Sequence, residues 1–224
     1  MCGRFTLTAA PARLQRRFGL AAAPGDVPPR YNIAPSQPVL VIANRTQRLL
    51  RPARWGLIPH WAKDATIGHR MINARAESLT ERAAFRDALA RQRCLIPADG
   101  FYEWQRLDAR RRQPFCVRPR DGEPLALAGL WDVWLAPDGE RVASCTIITT
   151  AANAALAAIH DRMPVLLAPQ SYDAWLAPEP CDPAALAELL VPCPPQWLDA
   201  YPVSTLVNSP ANEDPACVVP AVDA

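Results

Sequence analysis

The sequence is poor in the features that announce the commonest functions. Of 24 basic residues only Lys63 is a lysine, and the formal net charge is only +2. No bulk basicity therefore advertises a nucleic-acid partner. The three histidines (His60, His69, His160) are scattered, and the seven cysteines contain no C-x-x-C pair. Neither set has metal-ligand spacing, so no metal is expected. There is no phosphate-binding glycine loop, and no cofactor is expected. No apolar run reaches the ~18–20 residues that cross a bilayer, which argues against a membrane partner. The start lacks an apolar leader segment. With an odd cysteine count, this points to free thiols in a reducing cytosol.

What is present is a chain built for a core. Half of its 224 residues are hydrophobic, which is enough for one sizeable domain. The excess of arginine, alanine and proline reads as the composition of a GC-rich genome. Internal repeats and a convincing domain boundary are both absent from the sequence.

The start, Met1-Cys2-Gly3-Arg4-Phe5, carries the most specific chemistry. A small second residue predicts trimming of Met1. Cys2 would then hold an α-amine and a thiol on adjacent carbons. Such groups titrate near ~7.7–8.0 and ~8.5, so both are partly nucleophilic at neutral pH. An aldehyde would form an imine with the amine, and the thiol would close it to a thiazolidine. The alternative is a small buried cysteine at a frayed end.

Along the chain, Thr8 is an expected N-cap of a helix with Leu14 and Phe18 on one face and Gly19 at its end. Val39–Ala43 and Arg48–Trp55 read as a hairpin. Trp55 and Trp61 bracket a Gly/Pro loop, with Trp61 exposed and able to stack a base. On a strand over 71–77, Asn73, Arg75 and Glu77 would share one face. Ser78 and Glu81 have capping-box spacing before a helix to Gln92 that turns Ala84, Phe85, Ala88 and Leu89 inward. Asp99-Gly100 reads as a turn, after which Phe101, Glu103 and Gln105 share a strand face. Glu103 thus lies among large aromatics, where desolvation raises a carboxyl pKa and suits it to acid/base work. Strands are expected over 114–118, 124–130, 142–150, 165–168 and 201–207, with helices over 151–159, 169–176 and 182–190. His160, beside two charged residues and a proline turn, is a candidate proton shuttle. Cys94, Cys116 and Cys145 fall in core strands. The pattern predicts one α+β domain of curved, mostly antiparallel, barrel-like sheets with peripheral short helices.

Six segments in order resemble one family: Met1–Phe5, Tyr31–Pro35, Arg54–Pro59, Asn73–Glu77, Ala98–Trp104 and Ile159–Pro164. They are similar to the SRAP (SOS-response-associated peptidase) proteins from residue 1 to about residue 208. The rest, 209–224, reads as a proline-rich tail. The resemblance implies a covalent, reversible thiazolidine crosslink between Cys2 and the ring-opened aldehyde of an abasic site in single-stranded DNA. It implies Cys2 as nucleophile and Asn73 as holder of the terminal residue and sugar. Glu103 would assist Schiff-base chemistry, and His160 ring opening and reversal. Arg4, Arg75 and Arg162 would contact phosphates, and Pro35 and Trp61 would form a wedge against flanking bases. A monomer near the nucleoid, with the replication machinery as a partner, is the implied setting. Two other readings remain open: a cysteine peptidase or N-terminal-nucleophile hydrolase using the same residues, and a non-covalent reader of modified or single-stranded DNA.

Overall fold

A computed structural model describes residues 2–221. The expected trimming of Met1, and the last three residues of the tail, fall outside them. In chain order the strands are β1 (Arg4–Leu7), β2 (Arg30–Ile33), β3 (Pro38–Ala43), β4 (Leu50–Trp55), β5 (Asn73–Arg75), β6 (Arg93–Ala98), β7 (Gly100–Arg106), β8 (Arg112–Pro119), β9 (Leu125–Leu135), β10 (Arg141–Ala151), β11 (Arg162–Pro164) and β12 (Leu198–Pro202). The helices α1 (Pro11–Phe18), α2 (Ala83–Arg91) and α3 (Tyr172–Trp175) are short. The fold is mostly β and forms one domain, as the turn-rich strand pattern predicts.

Five strands close on themselves. β10 pairs β4, β4 pairs β3, β3 pairs β6, β6 pairs β9, and β9 returns to β10. Closure removes exposed sheet edges. Gly129 allows it at one point, because a Cβ there would meet Thr146 O and Ile96 Cδ1, each at 2.9 Å. The other sheet runs β12-β8-β7-β1-β2. Phe5 and Trp55 join the two, with ring centroids 5.2 Å apart, and Phe101 packs into the same core.

β10 positions the site. Its first half is clasped by β9 on one edge and β4 on the other. Its last residues run on and carry β5, parallel, on the β4 edge and β11, antiparallel, on the β9 edge. The segments bearing Asn73 and Arg162 are thereby held on either side of Thr149.

Several local expectations give way to tertiary contacts. Thr8 does not cap α1; its hydroxyl donates to Asp99 Oδ2 at 2.7 Å, and α1 begins after Ala10 with proline at its start. Gly19 ends α1 in the left-handed region, as expected. Asp99-Gly100 is a corner where the chain leaves the barrel for the other sheet, because β6 and β7 never pair with each other. A Cβ at Gly100 would stand 2.7 Å from Val117 O. The Ser78 capping box is not formed: α2 starts after Arg82 without a side-chain cap. It does bury Phe85, Ala88 and Leu89. The helix expected over 151–159 is not formed: Ala151 ends β10, and 154–159 are turns. The last strand ends at Pro202, and Thr205–Asn208 is a 3-10 turn.

Segment 209–221 packs back on the domain. Glu213 accepts from Arg30 Nε at 2.7 Å and from the Asn32 amide at 2.8 Å, and Cys217 is buried. Arg93 is fully buried, a placement that its sequence neighbourhood did not suggest. It donates to the carbonyls of Leu89, Ala90, Trp175, Ala177 and Glu179, so its charge is spread over five dipoles. Among the described residues no helix is long and apolar enough to cross a membrane.

The loop after β4 is pinched where Gly56 (φ 124°) meets Gly68. A Cβ on Gly56 would lie 2.6 Å from Gly68 O, and one on Gly68 would lie 2.8 Å from Gly56 O. Gly56→Ala is expected to destabilise the fold by roughly 2–3 kcal/mol, combining backbone strain with a clash. A urea melt with an unchanged midpoint would contradict this pinch.

Candidate active site

Cys2, the first described residue, is packed and not frayed. Cys2 is fully buried at the entrance to β1, and its thiol lies 3.8 Å from Arg4 O. β5 reaches across to it: Asn73 Nδ2 donates to Cys2 O at 2.8 Å. That bond fixes the amide orientation, leaving Asn73 Oδ1 as a buried acceptor that takes no hydrogen bond among the described residues. An uncompensated buried acceptor costs about 1–3 kcal/mol, so it suits a donor brought by a ligand.

Glu103, on β7, points to the main-core side of its strand with Phe101, while Tyr102 and Trp104 pack in a second cluster. Only 2% of Glu103 is exposed. Burial is the main cause that lifts its pKa from 4.5 to about 7, so it can both give and take a proton near neutrality. The Cys2 thiol is pushed up as well, first by burial and then by the Glu103 carboxylate. It is a neutral thiol, not a thiolate, at physiological pH.

His160 follows the 154–159 turns. Its Nδ1 accepts from the Arg162 amide at 2.9 Å, which places the proton of the neutral ring on Nε2. Nε2 faces Glu103 Oε2 at 3.8 Å. The Asp161 carboxylate also lies 3.0 Å from Nδ1. It can accept from that nitrogen only when Nδ1 carries a proton, in the other neutral tautomer or the charged ring, and the Arg162 amide must then be released. Burial lowers the pKa of His160, so the neutral form is favoured.

Cys2, Asn73, Glu103 and His160 are thus drawn together from four distant segments. The arginines fare differently. Arg75 is exposed at the end of β5 and makes no side-chain hydrogen bond or ion pair among the described residues, though its charge helps hold the Glu77 carboxyl down. Arg162 forks onto Glu77 with bonds of 2.8 and 2.9 Å and donates to Thr149 O at 2.7 Å. Arg4 donates to Asn32 Oδ1 (2.8 Å), Val207 O (2.6 Å) and Asn208 O (3.1 Å), so its guanidinium ties β1 to the 205–208 turn. Glu77, expected on a strand face with Asn73 and Arg75, lies in the turn after β5. Sequence reasoning missed Thr149 and the Glu77 fork because both depend on pairings with β10 and β11.

Pro35 and Trp61 lie on separate loops. Pro35 precedes Ser36, a non-glycine residue at φ 69° whose Oγ lies 3.3 Å from His69 Nδ1. Trp61 is 52% exposed. Its loop is pinned by Asp132, which accepts from the His60 amide at 2.8 Å, and by Ser144 Oγ, which accepts from the Ile58 amide at 2.8 Å. Among the described residues no cluster of histidine, cysteine and carboxylates could hold a metal ion.

Comparison with known proteins places this geometry among relatives. The profile of the family described as SOS response associated peptidase (SRAP) matches residues 1–210. The abasic site processing protein YoqW of Bacillus subtilis is 45% identical over 221 residues, spanning 97% of this chain and 99% of YoqW. The abasic site processing protein HMCES of Rattus norvegicus is 32% identical over 232 residues, covering 86% of this chain and 65% of HMCES. A crystal structure of a Bacteroides thetaiotaomicron protein superposes with a TM-score of 0.88 at 26% identity, covering 99% of this chain and all of that one.

The pKa of Glu103 makes stability pH-dependent in a defined direction. In the fold its carboxyl binds a proton more tightly than in the unfolded chain, so its contribution to stability is lost as pH rises from 4.5 through about 7. Glu103→Gln should therefore match the parent below this window and exceed it by up to ~3 kcal/mol above it. Chemical melts across the window check this. A difference that does not change with pH would mean that Glu103 is not held near 7.

Proposed function

The chain belongs to the SOS response associated peptidase (SRAP) family, and on that premise we propose that it captures abasic sites in single-stranded DNA. Capture is a covalent crosslink through the α-amine and thiol of Cys2, with Met1 removed. The observation that carries this reading is the docked start of the chain: the Cys2 carbonyl bonded by Asn73, beside a carboxyl tuned to about 7. Kinship with two proteins named for abasic-site processing supports the substrate.

The chemistry follows from the groups present. The ring-opened deoxyribose offers an aldehyde. The amine of Cys2 adds to its carbon, and the carbinolamine loses water to give an imine. The thiol then adds across the C=N bond: sulfur bonds to carbon, and nitrogen gains a hydrogen. One water leaves in all, and no oxidant is needed. Glu103 supplies the proton for departing water and takes the proton of the neutral thiol as it adds. His160, with its proton on Nε2 and facing Glu103, moves protons at the sugar ring oxygen in opening and in reversal. Asn73 Oδ1 is a buried acceptor ready for the amine or a sugar hydroxyl.

Arg75 is the guanidinium most available to a phosphate. Arg162 must exchange Glu77 for one, and Arg4 acts mainly by holding β1. Trp61 and Pro35 are the apolar surfaces offered to flanking bases. The protein acts in this reading as a monomer near DNA, next to the replication machinery.

Peptide hydrolysis is the second reading, favoured by the family's description. The state of the thiol weighs against it. A cysteine hydrolase needs a thiolate with lowered pKa, whereas burial drives Cys2 upward.

Incubation with a strand carrying one abasic site should give a heat-stable shifted band. Cys2→Ser should give none, and protein retaining Met1 should also fail. Glu103→Gln should slow formation by about a hundredfold, and His160→Gln should slow reversal more than formation. No band from the parent protein would overturn the reading, and unchanged rates in both variants would overturn the assigned roles.

A further inference from the structure

Beyond the four-residue site lies a feature that the reaction does not use. β7 and β8 project as a hairpin whose tip, Leu107–Arg111, carries Arg110 and Arg111, with Arg106 and Arg112 directly opposite each other at its base. Asp108 stiffens the tip. Its carboxylate accepts from the amides of Arg110 and Arg111, both at 2.8 Å, and from Arg111 Nε at 2.6 Å. Arg111 is thereby neutralised, and Arg106 Nε is turned onto Asp108 O at 3.1 Å. Arg110 and Arg112 have no side-chain partner among the described residues.

Between this hairpin and the 205–208 turn runs an open groove of about 710 Å³, lined by Trp104, Leu107, Arg110, Arg112, Thr205 and Asn208. Trp104 shares a strand face with Arg106 and Arg112 and is held by an Nε1 bond to Asn208 Oδ1 at 2.7 Å. Arg4 lies over its ring at 6.0 Å. The groove therefore combines a fixed aromatic plane with two free cations. The groove and the site share β7 but use its two faces: Trp104 and Arg106 turn to the groove, while Glu103 and Gln105 turn the other way, Gln105 Nε2 donating to Ala158 O two residues before His160.

We propose that this groove is a second binding track for single-stranded nucleic acid, in which Arg110 and Arg112 hold phosphates of nucleotides flanking the lesion and Trp104 stacks a base. The proposal rests on the reading of the site as one for DNA. Its chemistry fits unpaired strands: bases with free faces stack on aromatic rings, and a sequence-blind cation pair tracks the backbone. The protein's net charge of +2 makes such a local track necessary, because no general positive field can supply retention.

The test measures non-covalent binding of an intact, lesion-free single strand as a function of salt. Each single-strand phosphate contact contributes about 0.7 to the slope of log affinity against log salt. An R110A/R112A variant should lower the magnitude of that slope by roughly 1.4, whereas R110K/R112K should restore it. Crosslinking to an abasic trinucleotide, too short to fill the groove, should proceed at the parental rate in both variants. An unchanged slope in R110A/R112A overturns the inference. An equal loss of trinucleotide crosslinking would also overturn it, because the arginines would then act at the reaction centre. Failure of the parent to crosslink any abasic strand would defeat the proposed function instead. Because the slope is read on intact DNA, the groove is judged separately.

Discussion

One hydrogen bond fixes the residue on which the proposed chemistry depends: Asn73 Nδ2 to the carbonyl of Cys2, 2.8 Å long. A terminal residue free to move loses backbone entropy worth about 1–2 kcal/mol when it is ordered. Here that cost is met before any substrate arrives. Asn73 can make the bond only because β5 is clamped to β10, Ile147 opposite Asn73. β10 is in turn clamped by closure of the barrel. The path from fold to chemistry is short and mechanical.

The electrostatics depend on the same placement. Glu103 lies with Phe101 on the side of β7 that faces the core, and burial there lifts it to about 7. The same burial keeps the thiol protonated. In the proposed reaction this makes the amine rather than the thiol the first nucleophile, and a carboxyl near neutrality would serve both proton transfers. The Arg162 amide donates to His160 Nδ1, which sets the ring in a neutral form, and burial favours that form.

Much of this was legible in the sequence where the signal is local. The alternation around Glu103 gave its face correctly, because period two is a property of any strand. The helix stop at Gly19 and the inward residues of α2 were legible for similar reasons. Where tertiary contacts compete for the same side chain, local reading failed. Thr8 had a better partner in Asp99 than in a helix amide. Glu77 left its expected face because β5 stops after Arg75 and the chain turns toward Arg162. The internal use of Arg4 depends on the 205–208 turn, two hundred residues away in the chain. The four clustered residues, Cys2, Asn73, Glu103 and His160, are legible through family resemblance together with residue chemistry. Their convergence rests on long-range strand pairing that no local window contains.

In the proposed crosslink both the amine and the thiol of Cys2 are consumed in one ring. Peptide mapping of the isolated crosslink by tandem mass spectrometry tests this most directly. The expected result is an adduct confined to Cys2, with the net loss of one water and with a thiol that no longer reacts with iodoacetamide. An adduct on Lys63 or on another cysteine, or a Cys2 adduct with a freely alkylated thiol, would contradict it.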